Sequence, residues 1–157
     1  MGECFSERNE RSSQGELIAV TIGFGVVKAS ELNRKDNSSD DKSNYKVVRV
    51  DDLAYNSMRM WQGACGVSPY EGILSPAYTV VIPKEKTDSK FFSYMFKREE
   101  MMHVFESNSQ GLTSDTWNLK FPLFSLINVM VPDRKEQEQI SRFFERLDKT
   151  ITLHQDN

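Results

Sequence analysis

Residues 51–83, DDLAYNSMRMWQGACGVSPYEGILSPAYTVVIP, are short apolar pieces cut by Gly63, Gly66, Pro69, Gly72 and Pro76. Glycine and proline at that density favour tight turns, so the spacing predicts several short strands joined by turns. Met58 and Met60 alternate with Arg59 and Trp61, which in a strand puts the methionines on one face and Arg59 with Trp61 on the other. Residues 77–82 close the group as a hydrophobic strand stopped by Pro83.

Toward the N-terminus, residues 45–50 (YKVVRV) read as another strand, and residues 33–44 (NRKDNSSDDKSN) as a mixed-charge loop. Residues 17–22 (LIAVTI), bounded by Gly15 and Gly23, form a β-branched run that turns through Gly23, Phe24 and Gly25 into Val26 and Val27. That glycine pair has neither the following helix nor the lysine of a phosphate loop. Residues 1–15 are polar and read as a loop.

Toward the C-terminus, Thr87 or Asp88 caps a helix predicted to reach about Phe105. Phe91, Met95, Met102 and Phe105 lie on one face, with Phe92 and Phe96 beside it. Residues 107–111 (SNSQG) are a loop, Trp117 and Leu119 anchor the segment after it, Pro122 opens a single helical turn, and residues 127–131 read as a strand. Residues 132–153, PDRKEQEQISRFFERLDKTITL, are a strongly patterned helix. Asp133 and Glu136 have capping-box spacing. Ile140, Phe143, Phe144, Leu147 and Ile151 make one apolar stripe, and Glu138 with Arg142 and Glu145 with Lys149 are i,i+4 pairs. The stripe suits packing on the chain's own body, the commoner use of a terminal helix, and equally a seam with a second helix.

The fold class is therefore α+β, a short-stranded twisted sheet with helices. A chain of 157 residues, 38% hydrophobic and with ten Phe, is of ordinary size for one domain with a real core. The balance of 20 basic and 23 acidic side chains, net charge −3, is no signature of nucleic-acid binding unless the basic groups are segregated onto one face. Cys4 and Cys65 with His103 and His154 lack zinc-site spacing, so no metal and no cofactor is expected. No run approaches the roughly 20 apolar residues of a membrane span, and the N-terminal residues do not resemble a signal peptide, so the expectation is a soluble, cytoplasmic protein. Cys65, in GACG, has no spaced His and Asp set beside it, and a small buried thiol outweighs a nucleophile. Catalysis is not expected.

Residues 55–78 (YNSMRMWQGACGVSPYEGILSPAY), 109–121 (SQGLTSDTWNLKF), the VP-x-x-x-EQ-x-x-I-x-x-F pattern of 131–143 and LDKTITLHQ at 147–155 together resemble the DNA specificity subunit of type I restriction-modification systems. The likeness runs in order over nearly the whole chain. It implies a non-catalytic reader: residues 1–132 as a target recognition domain and 133–157 as the beginning of a spacer helix, binding one half of a split site in double-stranded DNA. The implied partners are a methylation subunit and, through it, a restriction subunit. The family's usual second recognition domain is lacking, which implies either a half-subunit that forms a homodimer or part of a longer subunit.

On that reading Arg59 and Gln62 have the chemistry to bond guanine and adenine edges. Ser68, Tyr70, Ser109, Gln110 and Thr113 are further loop contacts, and Lys84, Lys86, Lys90 and Lys120 are phosphate contacts. Ile140, Phe143, Phe144, Leu147 and Ile151 form the partner-helix face. A protein-only adaptor built on the same helix is the rival reading, and a Cys65-dependent hydrolase, needing an exposed and activated thiol, is a second.

Overall fold

A computed structural model describes residues 1–32 and 41–156. Of the mixed-charge loop expected over 33–44, residues 33–40 lie outside the described residues. The strands are β1 (Phe5–Glu7), β2 (Ile18–Thr21), β3 (Gly25–Lys28), β4 (Lys46–Val48), β5 (Leu53–Asn56), β6 (Cys65–Val67), β7 (Gly72–Leu74) and β8 (Tyr78–Pro83). The helices are α1 (Ser89–Met95), α2 (Glu99–Asn108), α3 (Phe121–Leu126) and α4 (Arg134–Gln155). The α+β class holds, with the strands in three small groups: a four-stranded antiparallel sheet ordered β1-β8-β5-β6, a β2-β3 hairpin and a β4-β7 pair.

The four-stranded sheet is the middle layer, and the period-2 alternation of its strands divides the core. Leu53, Tyr55, Cys65 and Val81 face one cluster with Phe92, Phe96, Phe105 and Phe124 from the helices. Ala54 and Val80 face the other, with Ile18, Val20, Val26, Val48 and Leu74 from the two strand pairs. Close approach demands glycine at Gly72, where a Cβ would collide with the Glu16 carbonyl.

Four sequence expectations change. Within residues 1–15, Phe5–Glu7 pairs antiparallel with β8, and Met1 and Phe5 are buried; one phenylalanine beside polar residues suffices because the exposed edge of β8 supplies the partner. The helix expected from 88 to 105 is two helices. Asp88 caps α1 by accepting from Lys90 N at 3.1 Å, but the chain breaks at Arg98, whose backbone is extended. The break brings Phe96 and Phe105 edge to face at 5.2 Å in the core. Residues 58–61 do not alternate as a strand, because Met60–Gln62 is a 3-10 turn that buries Met60 alone, and Gly63 ends it in the left-handed region. Residues 127–131 pair with no strand among the described residues; there the Ile127 carbonyl accepts from the Met1 amine.

Candidate nucleic-acid interface

The direction of the strands sorts the predicted site residues between two ends of the central sheet. β5 runs from Leu53 to Asn56 and β6 returns antiparallel, so the 3-10 turn Met60–Gln62 lies at one end and the turn after β6 at the other. At the first end, Arg59 is half-buried, its Nη1 donating to Met58 O at 3.1 Å, and Gln62 is exposed. The Trp61 and Trp117 rings meet edge to face at 5.2 Å, and Leu119 N donates to Ser57 O at 2.8 Å. These contacts hold the 109–120 loop against the 59–62 turn.

That loop is built from its own polar groups. Gln110 and Asn118 exchange backbone hydrogen bonds at 3.0 and 2.8 Å, closing the loop across its neck. Thr113 and Thr116 form a capping box on the 3-10 turn Ser114–Thr116. Gly111 takes φ +151°, and a Cβ there would stand 2.6 Å from Thr116 O, so only glycine fits. Gln110, Thr113 and Lys120 are exposed, whereas Ser109 is half-buried and donates its hydroxyl to Phe105 O at 2.7 Å.

Ser68 and Tyr70 stand at the opposite end. Ser68 is fully buried, and its hydroxyl donates to Tyr70 O at 2.7 Å and accepts from Tyr70 N at 3.2 Å, so it holds a turn and presents nothing to a ligand. The Lys28 ammonium sits 5.1 Å above the Tyr70 ring. Lys84, Lys86 and Lys90 belong to this end too, following β8 into α1. The eleven DNA contacts expected from sequence are therefore not one surface. Arg59, Gln62, Ser109, Gln110, Thr113 and Lys120 come together; Ser68, Tyr70, Lys84, Lys86 and Lys90 do not.

The root of α4 is also at this opposite end. Asp133 caps the helix, accepting from Glu136 N at 2.9 Å. Gln137, 2% exposed, donates from Nε2 to Lys86 O at 3.1 Å and Pro132 O at 2.9 Å, while its Oε1 accepts from Asp88 N at 2.8 Å. Ser141, 3% exposed, donates to Asp88 Oδ2 at 2.7 Å, and Arg134 Nη1 donates to Thr87 O at 2.6 Å. Further along, the Tyr94 and Phe144 rings stack at 5.2 Å, the Tyr94 hydroxyl donates to Asp148 Oδ2 at 2.7 Å, and Lys90 pairs with Glu145 at 3.2 Å. Burial and the Asp148 carboxylate raise the Tyr94 pKa. Glu145 thus serves α1 and not the expected Lys149, and Glu138 takes Arg134 at 2.8 Å with Arg142 only at 4.0 Å.

The apolar stripe is left outside. Ile140 is half-buried against the core, but Phe143 is 62% exposed, Leu147 44% and Ile151 47%. Packing of the stripe on the chain's own body is therefore confined to Ile140 and to Phe144, whose ring stacks on Tyr94, and leaves Phe143, Leu147 and Ile151 uncovered.

Cys65 is wholly buried and its thiol is pushed up to about 11 by that burial, which removes the reactive-cysteine reading. No group of three or more His, Cys, Asp or Glu among the described residues is placed to hold a metal ion, and no helix among them is long and apolar enough to cross a membrane.

A family model described as type I restriction modification DNA specificity domain matches residues 57–157. No curated protein matches the chain. Among solved structures, the crystal structure of the HsdS subunit from Thermoanaerobacter tengcongensis is similar, with a TM-score of 0.54 and 13% sequence identity. The alignment covers 97% of this chain and 37% of that one, and at this identity the likeness is one of fold. The family match takes in, without a break, the Met60–Gln62 turn, the 109–120 loop and the whole of α4, and on that footing the chain belongs to the type I restriction modification DNA specificity domain family.

Proposed function

We propose that this chain reads one half of a bipartite target in double-stranded DNA for a type I restriction-modification system, as a cytoplasmic, non-catalytic module that guides methylation and restriction subunits. The observation that carries the reading is the joining of the polar 109–120 loop to the 59–62 turn, which presents Gln62 to solvent, at one end of the sheet through the Trp61–Trp117 contact, while α4 is rooted at the other end. Arg59 and Gln62 are assigned to base edges, Ser109, Gln110 and Thr113 to the loop beside them, and Lys120 to phosphate. Residues 1–132 are the recognition body and 133–157 begin the spacer. The exposed stripe of Phe143, Leu147 and Ile151, with Ile140 and Phe144 at its margin, is the face for a second helix, from another copy or from a second recognition domain.

The stripe also favours a second reading, a protein-only adaptor. The test is retention of DNA from a randomised duplex pool by the chain, alone and with its cognate methylation subunit, followed by sequencing. A short half-site motif whose retention weakens steeply with salt supports the reader. A complex that forms regardless of salt and retains no motif supports the adaptor.

A further inference from the structure

Arg11 and Lys46 come from separate segments and end as direct partners in an antiparallel bridge. Direct partners project to the same face, where like charges repel. The backbone forbids them to separate: Val47 N donates to Glu10 O and Ser12 N to Tyr45 O, each at 3.0 Å. Lys46 is half-buried, and its ammonium donates to Tyr78 O at 2.5 Å, which fixes it at the end of β8 nearest the 59–62 turn. Arg11 is exposed, with Nη1 donating to Asn44 O at 3.0 Å.

Lys120 is brought to the same place from a third direction. Leu119 N donates to Ser57 O, and Ser57 N to Ala77 O, so the residue after Leu119 lies beside the start of β8. Burial lowers the Lys46 pKa, with the charges of Arg11 and Lys120 lowering it further and the Glu7 carboxylate opposing them. Among the described residues none of the three forms an ion pair with a carboxylate. Arg11 and Lys46, held together by backbone pairing, and Lys120 beside them are offset only by the Glu7 carboxylate, and the repulsion that remains is relieved by an anion seated among them.

We infer that Arg11, Lys46 and Lys120 form a seat for the sugar-phosphate backbone of duplex DNA, an inference that rests on the DNA reading above. The continuity of the surface argues for this occupant. Lys120 lies two residues beyond Asn118, which pairs with Gln110, so the cations border the loops assigned to base contacts. Phosphate contacts fix register while the neighbouring loops specify. The seat also reconciles an acidic chain with a nucleic-acid partner, because its basic groups are segregated by folding and not by composition.

The test compares the wild-type complex of the full chain and its cognate methylation subunit with Arg11→Gln/Lys120→Gln. A Lys135→Gln/Lys149→Gln variant on α4 is a control of equal charge change. Affinity for a randomised duplex is measured over a salt series, with melting temperatures recorded beside it. The expected result is that the slope of log affinity against log salt becomes shallower by about 1 to 2 in the first variant and is unchanged in the control, with the same retained motif. Lys120→Gln alone removes a side chain with no hydrogen bond among the described residues, and gives a fall of about 1 even if the Arg11 change disturbs its bridge to Lys46. An unchanged slope in Lys120→Gln and in the double variant, or an equal fall in the control, overturns the seat and leaves the DNA reading standing. A wild-type complex that retains no duplex overturns both.

Discussion

The first two turns of α4 and its later turns use one helix in opposite ways. At the root the buried side chains are polar, Gln137 and Ser141, and each is satisfied by bonds to the 86–88 segment. Beyond it the large apolar side chains, Phe143, Leu147 and Ile151, stand in water. An apolar face would be held by contact area, which tolerates sliding and rotation. Hydrogen bonds to Lys86 O, Pro132 O and Asp88 N have direction, and burial makes each costly to break. The body therefore fixes where the helix points without using the surface that the helix carries outward.

Leu147→Asp with Ile151→Asp breaks the comparison from the outer side and should have the largest effect. Association with the proposed partner helix is expected to weaken by about 2 kcal/mol or more, roughly thirtyfold, as for hot-spot residues at an interface centre. The melting temperature of the dissociated chain should stay within the equivalent of about 0.5 kcal/mol. Sedimentation and calorimetry check the two halves of this expectation, and a chain that unfolds would mean the stripe packs on its own body.

Gln137→Leu attacks the root. It fills the same space but leaves Asp88 N and two carbonyls without partners, and should destabilise the α1–α4 junction by about 1–3 kcal/mol in chemical denaturation. Tyr94→Phe, which keeps the ring against Phe144 and removes only the bond to Asp148, should cost about 1 kcal/mol or less. Lys90→Gln removes one exposed pair with Glu145, and hydrogen exchange across α4 should shift by no more than about 0.5 kcal/mol. If Lys90→Gln costs more than Gln137→Leu, charge and not buried bonding holds the helix.

Much of this was legible in the sequence where glycine and proline punctuate it. The strands within 17–28 and 51–83 begin and end where Gly15, Gly23, Gly63, Gly72 and Pro83 require, and Asp133 marks the start of α4. The break at Arg98 was not legible, because no glycine or proline stands between Phe92 and Phe105, and the demand that Phe96 and Phe105 share one core exists only in three dimensions. The 59–62 turn misled because four residues do not distinguish a period of two from a period of three. Ser68 and Tyr70 read as neighbours of Arg59 along the chain, yet one antiparallel strand carries them to the far end of the sheet. Arg11 and Lys46 are related only by strand pairing, which no local pattern announces. Nothing in the helix pattern singled out Gln137 and Ser141, since a polar side chain signals burial only when its partners are known.

The stiffness of the root has a consequence in the geometry of reach. A 22-residue helix is about 33 Å long, so a 10° change in its exit angle carries the far end through about 6 Å. The rise of DNA is about 3.4 Å per nucleotide along one strand, and that swing amounts to nearly two base-pair steps. A lever of this length turns three hydrogen bonds around one glutamine into a gauge of distance. Under the DNA reading, substitutions at Gln137 that preserve folding would leave the bases of the half-site as they are and alter how far away the second half-site must lie.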